Sequence, residues 1–229
     1  MKRNRARSVD RHNVAQHLGI DLGEYDARIR TFIPDYDAML DAGAAALRGD
    51  ERSIVDLGVG TGALAERCLE RCAHAQLVGI DLDEGMLRAA EARLGSRAVL
   101  REGSFVRVDV PRCDAFVASL ALHHVRTRDA KAALYGRLRR ALRPGGRLVI
   151  VDCCPAADRG LAAQQRDAWR THLRRTYSAR RADAYFAAWS HEDVYMPLPT
   201  ELDLLRTAGF RSEVAWRSGP FAVIVALRR

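Results

Sequence analysis

The stretch Ile54-Val-Asp56-Leu-Gly58-Val-Gly60-Thr-Gly62-Ala-Leu64 decides how this chain is read. It opens on apolar, β-branched residues, passes an acid, sets glycines at alternate positions and runs into an alanine- and leucine-rich helical pattern. That is the order of a buried parallel strand, a tight turn and a helix N-terminus, which turns backbone N–H groups toward a ligand. Glycine suits the turn because positive φ costs it little and no Cβ holds a ligand away. Asp81, which closes the apolar run LVGID, follows 19 residues after Gly62. An acid there can hold a ribose diol, so the pattern points to a nucleoside-type cofactor. Gly58-x-Gly60-x-x-Ala63 by itself also fits the nicotinamide-dinucleotide fingerprint.

Strand and helix patterns alternate on either side of this turn, as in an α/β fold. Strands are expected at 53–57, 76–80, 98–101, 114–118 and 147–151, with helices at 63–72, 84–94 and 129–142. Arg143-Pro144-Gly145-Gly146 reads as a helix stop and tight turn. After the helix in LPTELDLLRTAGF come two strands, 212–216 and 221–227, joined by Arg217-Ser218-Gly219-Pro220, short enough for an antiparallel hairpin. Before the glycine turn, residues 14–47 carry a helical period that Pro34 breaks. Residues 1–13 are expected to be a basic tail and 14–229 one domain, with cap helices over 14–50 and again over 153–199. Within that second cap, helices are expected at 161–177 and 179–189.

Composition narrows the class. The chain has 229 residues, 48% of them hydrophobic and 29% charged, and a net charge of +8. Such a chain suits a soluble α/β domain with an added cap. No apolar run is long enough for a membrane span, and the N-terminus lacks the apolar core of a secretory signal. Five cysteines (68, 72, 113, 153, 154) form no spaced disulfide framework, which fits a reducing cytoplasm. They read as small buried hydrophobes, and His191-Glu192 lacks zinc-hydrolase spacing, so no metal is expected. The excess charge sits in residues 1–11 and 158–181. Nucleic acid is disfavoured as a partner, since solvated arginine faces explain the charge equally well. Association into a homodimer is compatible with all of this.

Asp56-x-Gly58-x-Gly60-x-Gly62 resembles the first motif of the class I S-adenosylmethionine (SAM)-dependent methyltransferases. Further matches are Asp81, LRPGGRLVIVD over 142–152, Ser119-Leu-Ala-Leu-His123-His124-Val, and the C-terminal hairpin. The resemblance covers about Tyr25 to the C-terminus. It implies a seven-stranded, doubly wound, mostly parallel sheet with an antiparallel C-terminal hairpin strand, SAM as cofactor, and methyl transfer to an oxygen, nitrogen or carbon of a small molecule. It also implies roles. Asp56 would take the cofactor's amino group, Asp81 its ribose, and Leu82 with Met86 the adenine. Gly103, Ser104, Phe105 and Ser119 would complete that half. Ser104 stands where the family usually has an acid. Tyr25 and Arg30 match a subgroup whose N-terminal helices cover the cofactor.

Methyl transfer needs alignment and exclusion of water, and a base only if the acceptor arrives protonated. His123 and His124, after the fourth strand, are the candidates. Trp169, His172, Tyr177, Tyr185 and Trp189 are the pool for substrate contacts. Arginines 170, 174, 175, 180 and 181 either clamp an anion or form a solvated face. Two other activities share some of these motifs: a carboxy-SAM-forming or tRNA-modifying enzyme, and an NAD(P)-dependent oxidoreductase.

Overall fold

In a computed structural model, residues 22–228 are described, apart from the side chains of Leu22 and Glu192. The tail over 1–13 and the first part of the expected helix, 14–21, lie outside the described residues. The chain runs α1 (Tyr25–Phe32), α2 (Tyr36–Ala45), β1 (Ser53–Leu57), α3 (Ala63–Arg71), β2 (Gln76–Asp81), α4 (Glu84–Leu94), β3 (Ala98–Glu102) and β4 (Cys113–Ser119). It continues through α5 (Arg128–Ala141), β5 (Leu142–Cys153), α6 (Arg159–Leu173), α7 (Ala179–Glu192), α8 (Leu198–Thr207), β6 (Arg211–Ser218) and β7 (Phe221–Leu227).

One seven-stranded sheet has the order β3-β2-β1-β4-β5-β7-β6. Strands β1 to β5 pair in parallel, and β7 runs antiparallel between β5 and β6. Successive strand residues serve opposite faces: Ile54, Val117, Val149 and Val151 join one apolar cluster, while Val55, Phe116, Leu148 and Ile150 join the other. Covering both faces is what a central parallel sheet requires, and it explains the near-continuous apolar strands. The direction reversal is made by the two-residue link Gly219-Pro220, with Ser218 paired to Phe221 and Gly219 at φ +54°.

Two boundaries differ from expectation for local reasons. Strand β5 starts at Leu142, which pairs with Cys113, and pairing resumes at Arg147 opposite Ala115. Residues 143–146 are therefore extruded from the strand as a bulge rather than placed ahead of it. Gly146 makes this possible, since a Cβ there would lie 2.8 Å from the carbonyls of both Arg143 and Asp114. Helix α6 ends at Leu173, four residues earlier than its pattern suggests, and Ser178 then caps α7 by accepting the Arg181 N–H. Pro34 does break the first helical pattern, with Asp35 in the left-handed region at φ +56°.

Helices α1, α6 and α7 share one aromatic cluster on the β1–β4–β5 face. Phe32 stands 5.7, 4.9 and 5.6 Å from the rings of Tyr177, Tyr185 and Trp189. The Trp169 indole donates to the Phe32 carbonyl (2.7 Å), and Tyr177 and Thr31 share a 2.6 Å hydroxyl contact. The N-terminal helix and the insertion after β5 thus form a single roof.

On the other face, Lys131 of α5 is ion-paired to Glu201 of α8, and Tyr135 donates to the same carboxylate at 2.7 Å. Both charged side chains are almost fully buried, at 2% and 3% exposed. Removing one partner strands the other charge, whereas removing both does not. Lys131→Met should therefore cost about 3–5 kcal/mol in urea unfolding, and adding Glu201→Gln should restore most of it.

Candidate functional site

The C-terminal ends of β1, β2, β4 and β5 open onto a cavity of about 850 Å³ beneath the aromatic roof. That is where ligands bind in open α/β sheets, and the size is at the upper end of small-molecule sites. Its floor is the glycine turn. Gly58, Gly60 and Gly62 all have positive φ, at 77°, 53° and 83°. Gly58 is forced, because a Cβ would sit 2.6 Å from the Cβ of Ala121. Above Gly60 there is nothing within 4 Å, so its backbone faces open cavity.

Asp56 closes the inner end. It is 1% exposed, and neither carboxylate oxygen has a hydrogen-bond partner among the described residues. Burial, then the nearby charge of Asp81, pushes its pKa well above the usual carboxylate range. A buried acid left this way is costly unless a cationic donor arrives. Asp81 accepts the Gly60 N–H (2.8 Å) and the Asp83 N–H (3.0 Å), which ties the end of β2 to the turn. Burial raises its pKa too, against the pull of those donors. Helix α1 is latched to the same turn: Asp26 accepts from Thr61 Oγ1 (2.7 Å) and pairs with Arg93.

Most of the sequence-nominated residues meet here. Tyr25, Asp56, Gly58, Gly60, Asp81, Leu82, Met86, Ser104, Phe105 and Ser119 all line the cavity. Gly62 instead begins α3 and packs on Leu94, and Gly103 fits its turn against Val108 at φ +150°. Arg30 points away, in a two-pronged pair with Asp37 (2.8 and 3.0 Å) on the surface. Of the expected substrate-contact pool, Trp169 and Trp189 reach the cavity wall. Tyr177, Tyr185 and His172 do not line it, and the two tyrosines pack on Phe32 within the roof. None of the five cap arginines lines the cavity. Arg170 pairs with Asp183 and Asp167, and Arg181 lies over the Tyr177 and Tyr185 rings. Cys153 is at the wall, and all five cysteines are buried free thiols.

The far end carries a polar group around His123. Its Nδ1 is 2.7 Å from Asp152 Oδ1, and its backbone N–H donates to Asp152 Oδ2 at 3.1 Å. Burial alone would lower the imidazole pKa, but Asp152 and Asp193 outweigh it and the net shift is upward. Asp152 is held below the usual carboxylate range: burial opposes this, and His123 and Lys131 prevail. The chain reaches this loop through Leu120, at φ +49°. His124 and Asp193 complete the group, and Tyr195 donates to Asp193 at 2.6 Å. Asp152, Asp193 and Tyr195 escaped the sequence reading. Asp152 was visible as the last residue of LRPGGRLVIVD, but Asp193 and Tyr195 lie in a connecting stretch with no periodic signal.

Proteins similar in sequence and in fold agree with this geometry. Residues 54–146 match the family model described as a methyltransferase domain. An uncharacterized methyltransferase of Geobacillus kaustophilus (strain HTA426) is 33% identical over 132 residues, which are 56% of this chain and 58% of that protein. The matched segment and the sheet order support a class I SAM-dependent methyltransferase domain. A trans-aconitate 2-methyltransferase of Acidovorax sp. (strain JS42) is 31% identical over 164 residues, covering 69% and 60% of the two chains. The chain thus spans 58–60% of the length of these curated relatives. The structure of an O-methyltransferase family protein from Burkholderia thailandensis superposes with a TM-score of 0.66 at 20% identity, covering 84% of this chain and 55% of that one. SAM is the cofactor that goes with this family, and a buried orphan acid beside an open glycine turn fits its cationic amino-acid end. The antiparallel β7 departs from the all-parallel dinucleotide order, so the oxidoreductase reading is not favoured.

Relieving the buried charge should separate stability from binding. Asp56 carries a raised folded-state pKa, so the apoprotein loses stability as pH climbs from about 4, the unfolded value, toward the folded one. Asp56→Asn should flatten that dependence and raise the apoprotein Tm, by about 2–4 °C per kcal/mol relieved. The same change should weaken SAM binding roughly 10- to 100-fold by calorimetry, through loss of a charge-assisted hydrogen bond.

Proposed function

We propose that this chain methylates a small, uncharged, apolar acceptor at an oxygen or nitrogen, with SAM as methyl donor. The observation that carries the reading is a single cavity that joins the orphan Asp56 carboxylate and glycine turn to an aromatic chamber ending on His123. SAM supplies a methyl group already activated by its sulfonium. Asp56 and the Gly60 turn hold the amino-acid end, Asp81 the ribose, and Leu82, Met86, Ser104 and Phe105 the adenine. Tyr25 closes over the methionyl end.

The chamber beyond is walled by Trp169, Trp189, Tyr195 and Phe221, with Arg126 as the one arginine on the cavity wall among the described residues. A tricarboxylate such as trans-aconitate would need several cations there. None of the five cap arginines lines the cavity: Arg170 is paired with Asp167 and Asp183, Arg181 lies over aromatic rings, and Arg174, Arg175 and Arg180 are exposed. This argues for an acceptor recognised by aromatic contact rather than by charge.

An oxygen or nitrogen acceptor gives up a proton. Asp152 accepts from Nδ1–H of His123, which leaves Nε2 as the lone-pair atom at the acceptor end. Asp152 is thus a positioning residue for His123. The acceptor class is tested by a methyl-transfer screen in which apolar phenols and arylamines turn over and polycarboxylates do not. With a responsive acceptor, His123→Ala and Asp152→Asn should each lower kcat by about 10²- to 10⁴-fold while SAM affinity is retained. Turnover of carboxylates alone, or full activity in both variants, would reject this reading.

A further inference from the structure

Asp193 is the cavity group for which methyl transfer alone leaves no task. Its side chain is 5% exposed, and one oxygen, Oδ2, accepts from Tyr195. The other, Oδ1, is buried without a hydrogen-bond partner among the described residues. It lies 3.6 Å from Nε2 of His123 and 3.4 Å from Nδ1 of His124. Those gaps exceed ordinary N–H···O lengths. They do match the edge of a tetrahedron: ligands about 2.0–2.2 Å from a central ion lie roughly 3.3–3.6 Å apart. All three atoms fall within 4.8 Å of one another.

We propose that His123 Nε2, His124 Nδ1 and Asp193 Oδ1 bind one divalent cation of the zinc class, with the fourth position open to the cavity. Two neutral imidazoles and a carboxylate form a donor set suited to zinc and similar first-row ions, and three protein ligands with one open position mark a reactive rather than structural site. The supporting contacts are in place as well. Asp152 accepts from Nδ1 of His123 and so turns Nε2 toward the ion, while Tyr195 holds Asp193. The two segments are clamped together, since Val194 N–H donates to the His123 carbonyl at 3.1 Å. The sequence expectation of no metal could not see this group, because its third ligand enters from the connection after α7.

The inference rests on the methyl-transfer reading for what fills the open position: the acceptor's oxygen or nitrogen, made more acidic by ligation. With the ion bound, the His123 lone pair is used in ligation, so the proton of the ligated acceptor passes to solvent water instead, and His123 acts on the acceptor through the ion. Ion binding itself can be tested apart from methyl transfer. Full-length protein stripped with a chelator is titrated with Zn²⁺ by calorimetry and with Co²⁺ by visible absorption, and SAM binding is measured on the same samples.

The expected result is one ion per chain, tetrahedral Co²⁺ bands, and binding weakened at least about tenfold in Asp193→Asn and in His124→Ala. Retained SAM binding would report that both variants are folded. No saturable binding to the stripped wild-type protein, or equal binding by the wild type and both variants, would overturn the site. Loss of SAM binding with ion binding intact would instead support the site and count against the methyl-transfer reading.

Discussion

A carboxylate buried with nothing to bond to is the constraint around which this molecule is arranged. Asp56 sits in the middle of the sheet, between β2 and β4, and its backbone is locked by parallel pairing on both sides. The fold cannot move it toward water without breaking the sheet. Glycine is needed beside it because only a chain bending at positive φ, without a Cβ, leaves room at Gly60 and avoids Ala121 at Gly58. Asp81 then ties the next strand to the turn, and α1 is latched down through Asp26 and Arg93. The cost of the orphan acid is thus carried by a rigid frame, as is common where a binding site takes precedence over stability.

The roof answers a different need. Helices α1, α6 and α7 come from opposite sides of the β1–β5 segment, yet they close on one cluster around Phe32, Trp169 and Trp189. Aromatic packing lets the inner wall of the chamber be apolar while the arginines of the same helices stay outside. The split follows from geometry. Arg170 and Asp183 pair across α6 and α7 on the solvent side, so their charge is spent before it can reach the cavity. The positive charge of α6 and α7 therefore lies on their outer side, and the cavity's own charged groups among the described residues are chiefly acids and imidazoles.

Sequence reading was strongest where one residue type is physically obligatory. The glycine turn, Asp56, Asp81 and the hairpin needed no tertiary information, because each announces its backbone conformation or its place at a strand end. It was weaker for side chains whose role depends on direction. Arg30 has the right spacing to approach the cofactor but is drawn to Asp37 across the α1–α2 bend. Tyr185 shares α7 with Trp189, and Tyr177 follows the end of α6, yet neither lines the cavity that Trp169 and Trp189 reach. Helical period alone does not separate the cavity wall from the roof core.

What the sequence determined by itself is the alternation of strands and helices, the glycine turn and the antiparallel end. These are local patterns of period, chirality and punctuation. Tertiary structure alone decided which groups share the chamber. Asp152, His123, His124, Asp193 and Tyr195 come from three separate segments and meet only because parallel strands bring their C-terminal ends to one edge, where a loop returning from the roof is pinned to the His123 carbonyl. Contacts of that kind are set by how far apart in the chain the sheet can gather its ends, and no local pattern records them.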